Sequence, residues 1–136
     1  MSDCTFCAIA NRTSPARVVY EDERTMAFVD IVPLTRGHTL VIPKVHAENI
    51  FDIAADDLAA VARTAHTIAA AAKRAFEPDG LNLFQTNGAV AMQTVFHLHI
   101  HVLPRYVDDG FGVVISREVG TEEELEDSAA RLRAAL

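Results

Sequence analysis

From Phe96 to Arg105 the chain reads Phe-His-Leu-His-Ile-His-Val-Leu-Pro-Arg, with apolar residues and histidines in turn. A period of two fits an extended strand, whose side chains point alternately to opposite faces. His97, His99 and His101 then share one face, and Phe96, Leu98, Ile100 and Val102 the other. Three neighbouring imidazoles repel one another when protonated and need partners when buried neutral. A half-buried polar face is the plain reading, but two chemistries want such a row. One is a metal site, with alternate strand residues converging on an ion. The other is nucleophilic catalysis, in which one imidazole attacks and its neighbours fix its tautomer and handle protons. Gln93 and Thr94 lie just upstream. They add an amide and a hydroxyl suited to a phosphate or a leaving group, and a catalytic zinc needs neither as a ligand.

Elsewhere the patterning is that of an α+β chain. Val18–Tyr20, Met26–Val29 and Thr39–Ile42 read as strands, the last stopped by Pro43. Gly37 marks a turn between the second and third. An alanine-rich stretch from Ala54 to Ala75 carries Leu58, Val61, Ala62, Ala65, Ile68, Ala69, Ala72 and then Phe76 at spacings of three and four. This predicts one long central helix, ended by Pro78-Asp79-Gly80, with His66 and Lys73 towards solvent. Leu81–Gln85 and Val95–Leu103 follow as strands, joined by a loop, Thr86–Thr94, with the turn pair Asn87-Gly88. Cys4–Ala10 reads as a short helix. Thr121 opens a capping box for a C-terminal helix, about 121–136, with Leu125, Leu132 and Leu136 inward. The sum is an antiparallel sheet of about five strands with the long helix on one face.

The 136 residues fit one domain, 1–136. Half of them are apolar and 23% charged, so the chain is globular. Twelve basic against nineteen acidic residues give a net charge of −7, which excludes a nucleic-acid-coating surface but not a local phosphate site. No apolar run is long enough for a membrane helix, and Met1-Ser2-Asp3-Cys4 does not resemble a signal peptide. A cytoplasmic protein with no nucleic-acid or membrane partner is expected. Cys4-x-x-Cys7 supplies half a tetrahedral zinc site, with a pair of unliganded thiols as an equal reading.

Taken together, three ordered segments resemble the histidine triad (HIT) superfamily. They are Phe28-Val29-Asp30-Ile31 with Gly37–Lys44, then Asn82-Leu83 through Asn87-Gly88, then Gln93–His101. The similarity covers about residues 4–105, continues through Asp109-Gly110-Phe111, and is nearest the Hint-like bacterial branch. His101 argues against the uridylyltransferase branch, which has Gln there.

The resemblance implies a HIT-like fold and a nucleotide phosphoramidase or hydrolase. It would cleave at the α-phosphorus of a purine, AMP-type nucleotide through a nucleotidyl-histidine intermediate. By the same resemblance His99 is the nucleophile, His101 contacts the phosphate and His38 supports the tautomer chain. Gln93 and Thr94 hold the phosphate and leaving group. Asp30 accepts from the ribose hydroxyls, Phe28 and Ile31 line the base pocket, and Asn87 contacts the ribose–phosphate region. Without the resemblance, Asp30 and Asn87 read as turn residues. Phe28 and Ile31 cannot share a strand face unless the strand ends near Asp30. Cys4, Cys7, His46 and His97 resemble a structural zinc set, and no catalytic metal is required. A homodimer is implied, with the long helix and a strand at its interface. One departure is Met92, where the family commonly has Gly before the Gln; this bears on the leaving group more than on the nucleophile. Alternatives are a dinucleoside polyphosphate hydrolase, a nucleotide-binding protein with little turnover, and a His-rich metal enzyme.

Overall fold

A computed structural model of the chain describes residues 3–112 and 117–136; Met1 and Ser2 of the N-terminal reading lie outside them. Helix α1 spans Thr5–Ala10. Strands β1 (Val18–Glu21), β2 (Thr25–Val29) and β3 (Thr39–Pro43) precede helix α2, Ala55–Phe76. Strand β4 (Gly80–Phe84) leads through a 3-10 turn at Ala89–Ala91 to β5 (Ile100–Arg105), and helix α3 is Glu122–Ala135. All strand pairs are antiparallel, in the order β1-β2-β3-β5-β4. This is the mixed architecture that the patterning predicts.

Strand alternation sends side chains into two separate cores. Ala27, Val41, Leu98 and Val102 meet Val61, Ala65 and Ile68 of α2 on one face. Met26, Phe28, Leu40 and Ile42 meet Phe6 and Ile9 of α1 on the other. Burying a large aliphatic side chain contributes roughly 1.5–3 kcal/mol, so packing holds α2 to the sheet more than helix propensity does. Ala62 is exposed although its spacing suits the apolar face, and Ala60 and Thr64 are buried there instead. The Thr64 hydroxyl is 2.7 Å from that of Thr25, which satisfies both within the interface. His66 and Lys73 are exposed, as expected. Helix α2 ends at Glu77, whose left-handed backbone (φ 47°) returns its N–H to the Lys73 carbonyl before Pro78.

Two expectations change. The strand predicted over Val95–Leu103 is laddered only from Ile100. Before that point the Leu98 N–H bonds to the Ala47 carbonyl (2.7 Å), outside the sheet. Alternation nevertheless survives: Leu98 is fully buried towards α2 and His99 lies on the α1 face. Phe96 precedes the paired segment and is 44% exposed rather than packed on the apolar face. In α3 the capping box is present, with Thr121 and Glu124 exchanging side-chain and backbone bonds. Leu125, Leu132 and Leu136 are exposed, however, and the helix buries none of its residues. Its apolar stripe meets no facing surface among the described residues. What holds it is its own backbone, the cap, and Glu122, Glu123 and Glu124 near its N-terminal dipole.

Gly37 turns the β2–β3 connection at φ +88°, and a Cβ there would lie 2.6 Å from the Phe76 ring. Gly88 has φ +93° with open space around it. Alanine at either position is strained by the positive φ, and Gly88, with ψ 151°, occupies a region held essentially by glycine alone. Gly37→Ala should lower the urea midpoint less in a Phe76→Leu background than in the wild type, and equal losses would refute the contact with Phe76.

Candidate functional site

Proton positions along the imidazole row follow from their fixed partners. The His99 Nδ1 lies 2.8 Å from the His97 carbonyl, which can only accept. His99 Nδ1 therefore carries the hydrogen, and Nε2 keeps its lone pair. Next to it, the Leu34 backbone N–H donates to His38 Nδ1 (3.1 Å), so His38 is protonated on Nε2. That N–H donates to His101 Nδ1 at 2.9 Å, which leaves His101 with its hydrogen on Nε2. One imidazole thus offers a lone pair and its neighbour a hydrogen.

Burial keeps these rings neutral. It lowers the pKa of His99 and of His38, against the opposing pull of the Asp30 carboxylate. It pushes His101 down to about 3, with help from neighbouring His99 and His38. Aromatic rings fix the orientations. Phe84, paired with His101 across β4 and β5, stacks on it at 4.2 Å between centroids. Phe6 of α1 sets its edge against His99 at 5.2 Å.

His38, His99 and His101 line one cavity of about 1090 Å³ on the α1 face of the sheet. Phe28, Asp30, Ile31 and Thr94 line it too. Because β2 ends at Val29, Phe28 is buried in the floor while Ile31 is 87% exposed at the rim. Asp30 accepts the Val32 N–H at 2.9 Å, and its other oxygen is 3.5 Å from His38 Nε2.

Two expected residues are not among those lining the cavity. Asn87 spends its amide on the Ile50 N–H (2.8 Å) and on Gln85. Gln93 is buried, accepts the Gly88 N–H (2.7 Å) and donates to the Glu48 and Val95 carbonyls. Both brace the loop. Thr86, which the sequence reading passed over, lines the cavity with a buried hydroxyl that has no hydrogen-bond partner. Phe6, Phe84 and Met92 also line it. Met92 sits at φ 73°, which costs a non-glycine residue about 1–2 kcal/mol.

A second cluster forms where α1 meets the sheet. Cys4, Cys7, His46 and His97 bring their donor atoms within 4.8 Å of one another. His97 Nε2 donates to the Pro43 carbonyl (2.8 Å), which leaves Nδ1 as a lone-pair donor. Burial lowers His97 to about 4, the neutral form that a metal needs. His97 Nδ1 is 3.5 Å from Cys4 Sγ, 3.4 Å from Cys7 Sγ and 3.3 Å from His46 Nδ1. Tetrahedral zinc spaces nitrogen and sulfur ligands by about 3.3–3.8 Å, so the set fits that ion. Asp30, His38 and His101 also cluster, but there the His38–His101 hydrogen bond accounts for the spacing.

Residues 11–108 match the HIT domain family. The chain is 46% identical over 113 residues to Protein hit of Bacillus subtilis, covering 82% of this chain and 78% of that one. It is 38% identical over 104 residues to adenylylsulfatase HINT3 of Arabidopsis thaliana, covering 76% of this chain and 53% of that one. A crystal structure of a HIT family member from Bacillus subtilis superposes with TM-score 0.94 at 40% identity, covering 99% and 98% of the two chains. A zinc-bound histidine triad family protein from Mycobacterium smegmatis superposes with TM-score 0.76 at 40% identity, covering 98% of each.

The lowered His101 and His38 make stability depend on pH. Unfolded, these groups titrate near 6.5; folded, His101 does so at about 3 and His38 below its ordinary value. Below 6.5 the unfolded chain binds the extra protons, so stability is intact above that pH and falls as pH drops towards 3. His101→Gln should flatten the change in denaturation midpoint between about pH 7 and pH 5. An unchanged slope would contradict the buried neutral imidazole.

Proposed function

The chain belongs to the HIT family, and on that premise we propose that it hydrolyses a purine nucleotide derivative at the α-phosphorus through a nucleotidyl-histidine on His99. The observation that carries this reading is the His99 Nδ1–H bond to the His97 carbonyl, which leaves Nε2 as the nucleophilic nitrogen of a cavity-lining ring. In-line attack by Nε2 forms an N–P bond and expels the leaving group with its electron pair. The attacking imidazole gains positive charge, and the His97 carbonyl stabilises it through the Nδ1–H. Water then attacks phosphorus and gives up a proton, and His99 departs neutral.

Around that step, the remaining residues bind and orient. His101 presents an Nε2–H to a phosphoryl oxygen, and His38 holds it in that tautomer. Thr94 and the unpartnered Thr86 hydroxyl supply further polar contacts. Asp30 accepts from the ribose hydroxyls, and Phe28 and Ile31 enclose the base. Gln93 and Asn87 act on the phosphate indirectly, by bracing the loop that carries Thr94. The adenylylsulfatase among the relatives supports a hydrolytic reading.

Cys4, Cys7, His46 and His97 would hold zinc, which supplies a closed structural cross-link between α1 and the sheet. The same reading carries a homodimer through edge strand β4, where Leu83 is exposed, and the exposed Ala59 and Ala62 of α2. No helix among the described residues is long and apolar enough to cross a membrane.

AMP release from adenosine 5′-phosphoramidate tests the chemistry. His99→Ala should lower it by more than about 1000-fold while nucleotide binding persists. No release by folded wild type would overturn the phosphoramidase reading. For the metal, purified protein should contain stoichiometric zinc, and Cys7→Ser should lose it with a lower thermal midpoint. Equal zinc content in that variant would exclude the four-residue site.

A further inference from the structure

The connection between β2 and β3 carries Asp30 and His38 at its two ends, yet little of it is packed. From Ile31 to Gly37 the single buried residue is Thr35, at 8% exposure. Its neighbour Leu34 is exposed, so no core holds that residue in place. The Leu34 N–H nevertheless decides the tautomer of His38, because it donates to Nδ1 at 3.1 Å. Where this amide points has to be fixed by another contact.

Thr35 supplies it. Its hydroxyl donates to the Pro104 carbonyl at 2.6 Å, a buried bond between residues 69 apart in the chain. The ladder between β3 and β5 ends at the pair Thr39 and Val102, so Pro104 lies beyond the last rung. The hydroxyl thus extends the contact between the two segments past the point where backbone pairing stops. The Thr35 carbonyl in turn accepts the His38 N–H at 3.2 Å. One residue is therefore bonded through its side chain to the strand that carries His101, and through its backbone to His38.

We infer that Thr35 is a positioning residue for the imidazole pair: its bond to Pro104 holds the Leu34 amide against His38 Nδ1 and so sets the tautomers of His38 and His101. The catalytic consequence rests on the reaction proposed above. Once Nδ1 of His38 is released, its surroundings select the proton position only weakly. The Asp30 carboxylate lies 3.5 Å from Nε2, outside the range of a good hydrogen bond. A hydrogen on His38 Nδ1 leaves a lone pair on Nε2, facing His101 Nδ1 at 2.9 Å. His101 Nδ1 then has to carry the hydrogen, since a neutral imidazole donates at one nitrogen and accepts at the other. Its Nε2 becomes an acceptor and no longer offers a hydrogen to a phosphoryl oxygen. The two rings switch as a unit, with no change of charge.

Long-range proton–nitrogen NMR correlations of the imidazole rings at neutral pH test this, beside kcat/KM for adenosine 5′-phosphoramidate. Thr35→Val keeps the shape and removes the hydroxyl. Thr35→Ala does so without a methyl group against the Pro104 carbonyl, and takes its place if the valine variant does not fold. Wild type should carry the hydrogens of His38 and His101 on Nε2; a hydrogen on Nδ1 of either ring would overturn the inference. Loss of the hydroxyl should bring up the Nδ1–H form of both rings together, and Thr35→Ser should restore the wild-type pattern. Tautomers unchanged without the hydroxyl, or changed and not restored by serine, would overturn it too. The kcat/KM should fall with the share of the Nε2–H form that is lost, by at least about threefold. An unchanged kcat/KM beside switched rings would overturn the catalytic consequence. If the tautomers respond as expected while folded wild type releases no AMP, the proposed reaction fails and the positioning of the rings stands.

Discussion

The hydrogen bond from His99 Nδ1 to the His97 carbonyl spans two residues and joins two sites. The imidazole of His97 faces Cys4, Cys7 and His46, while its carbonyl sets where the proton of His99 sits. Neither job is possible unless the backbone between them stays extended. Leu98 supplies that condition: its side chain is locked into the α2 core and its N–H is tied to Ala47. A buried apolar residue between two polar ones is thus what gives both imidazoles their direction.

Much of this was legible in the sequence because it is periodic. The helical spacing from Leu58 to Phe76 and the alternation from Leu98 to Val102 each report one buried face. The alternation holds even where the ladder does not form, since it requires extended backbone and not strand pairing. The C-terminal leucines show the limit of such reasoning. Amphipathic spacing says that a face is apolar, not that anything in the chain covers it.

The loop between β4 and β5 was the least legible part. Asn87-Gly88 correctly signals a turn, but besides their local partners the Asn87 and Gln93 amides are held by Ile50 and Glu48, far along the chain. No local pattern reveals that an amide is already spent. Thr86 went unnoticed for the matching reason: a lone threonine beside a turn carries no signal until its hydroxyl is found buried without a partner. Tautomers lie further out of reach. That His38 accepts at Nδ1 follows from the Leu34 amide beside it, a consequence of how the β2–β3 connection closes.

Helix α1 has only six residues, too few to persist alone in water. Its holds are Phe6 and Ile9 in the smaller core and the cysteines at its N-terminal end. Yet Phe6 and Ile9 also wall the nucleotide-sized cavity. This wall therefore depends on those few holds and not on the helix's own hydrogen bonding. An ion held in the cysteine–histidine cluster and a ligand held in the cavity would both favour α1 in its docked position. Two such occupants would be linked reciprocally, each strengthening the other by the same factor without the two ever touching.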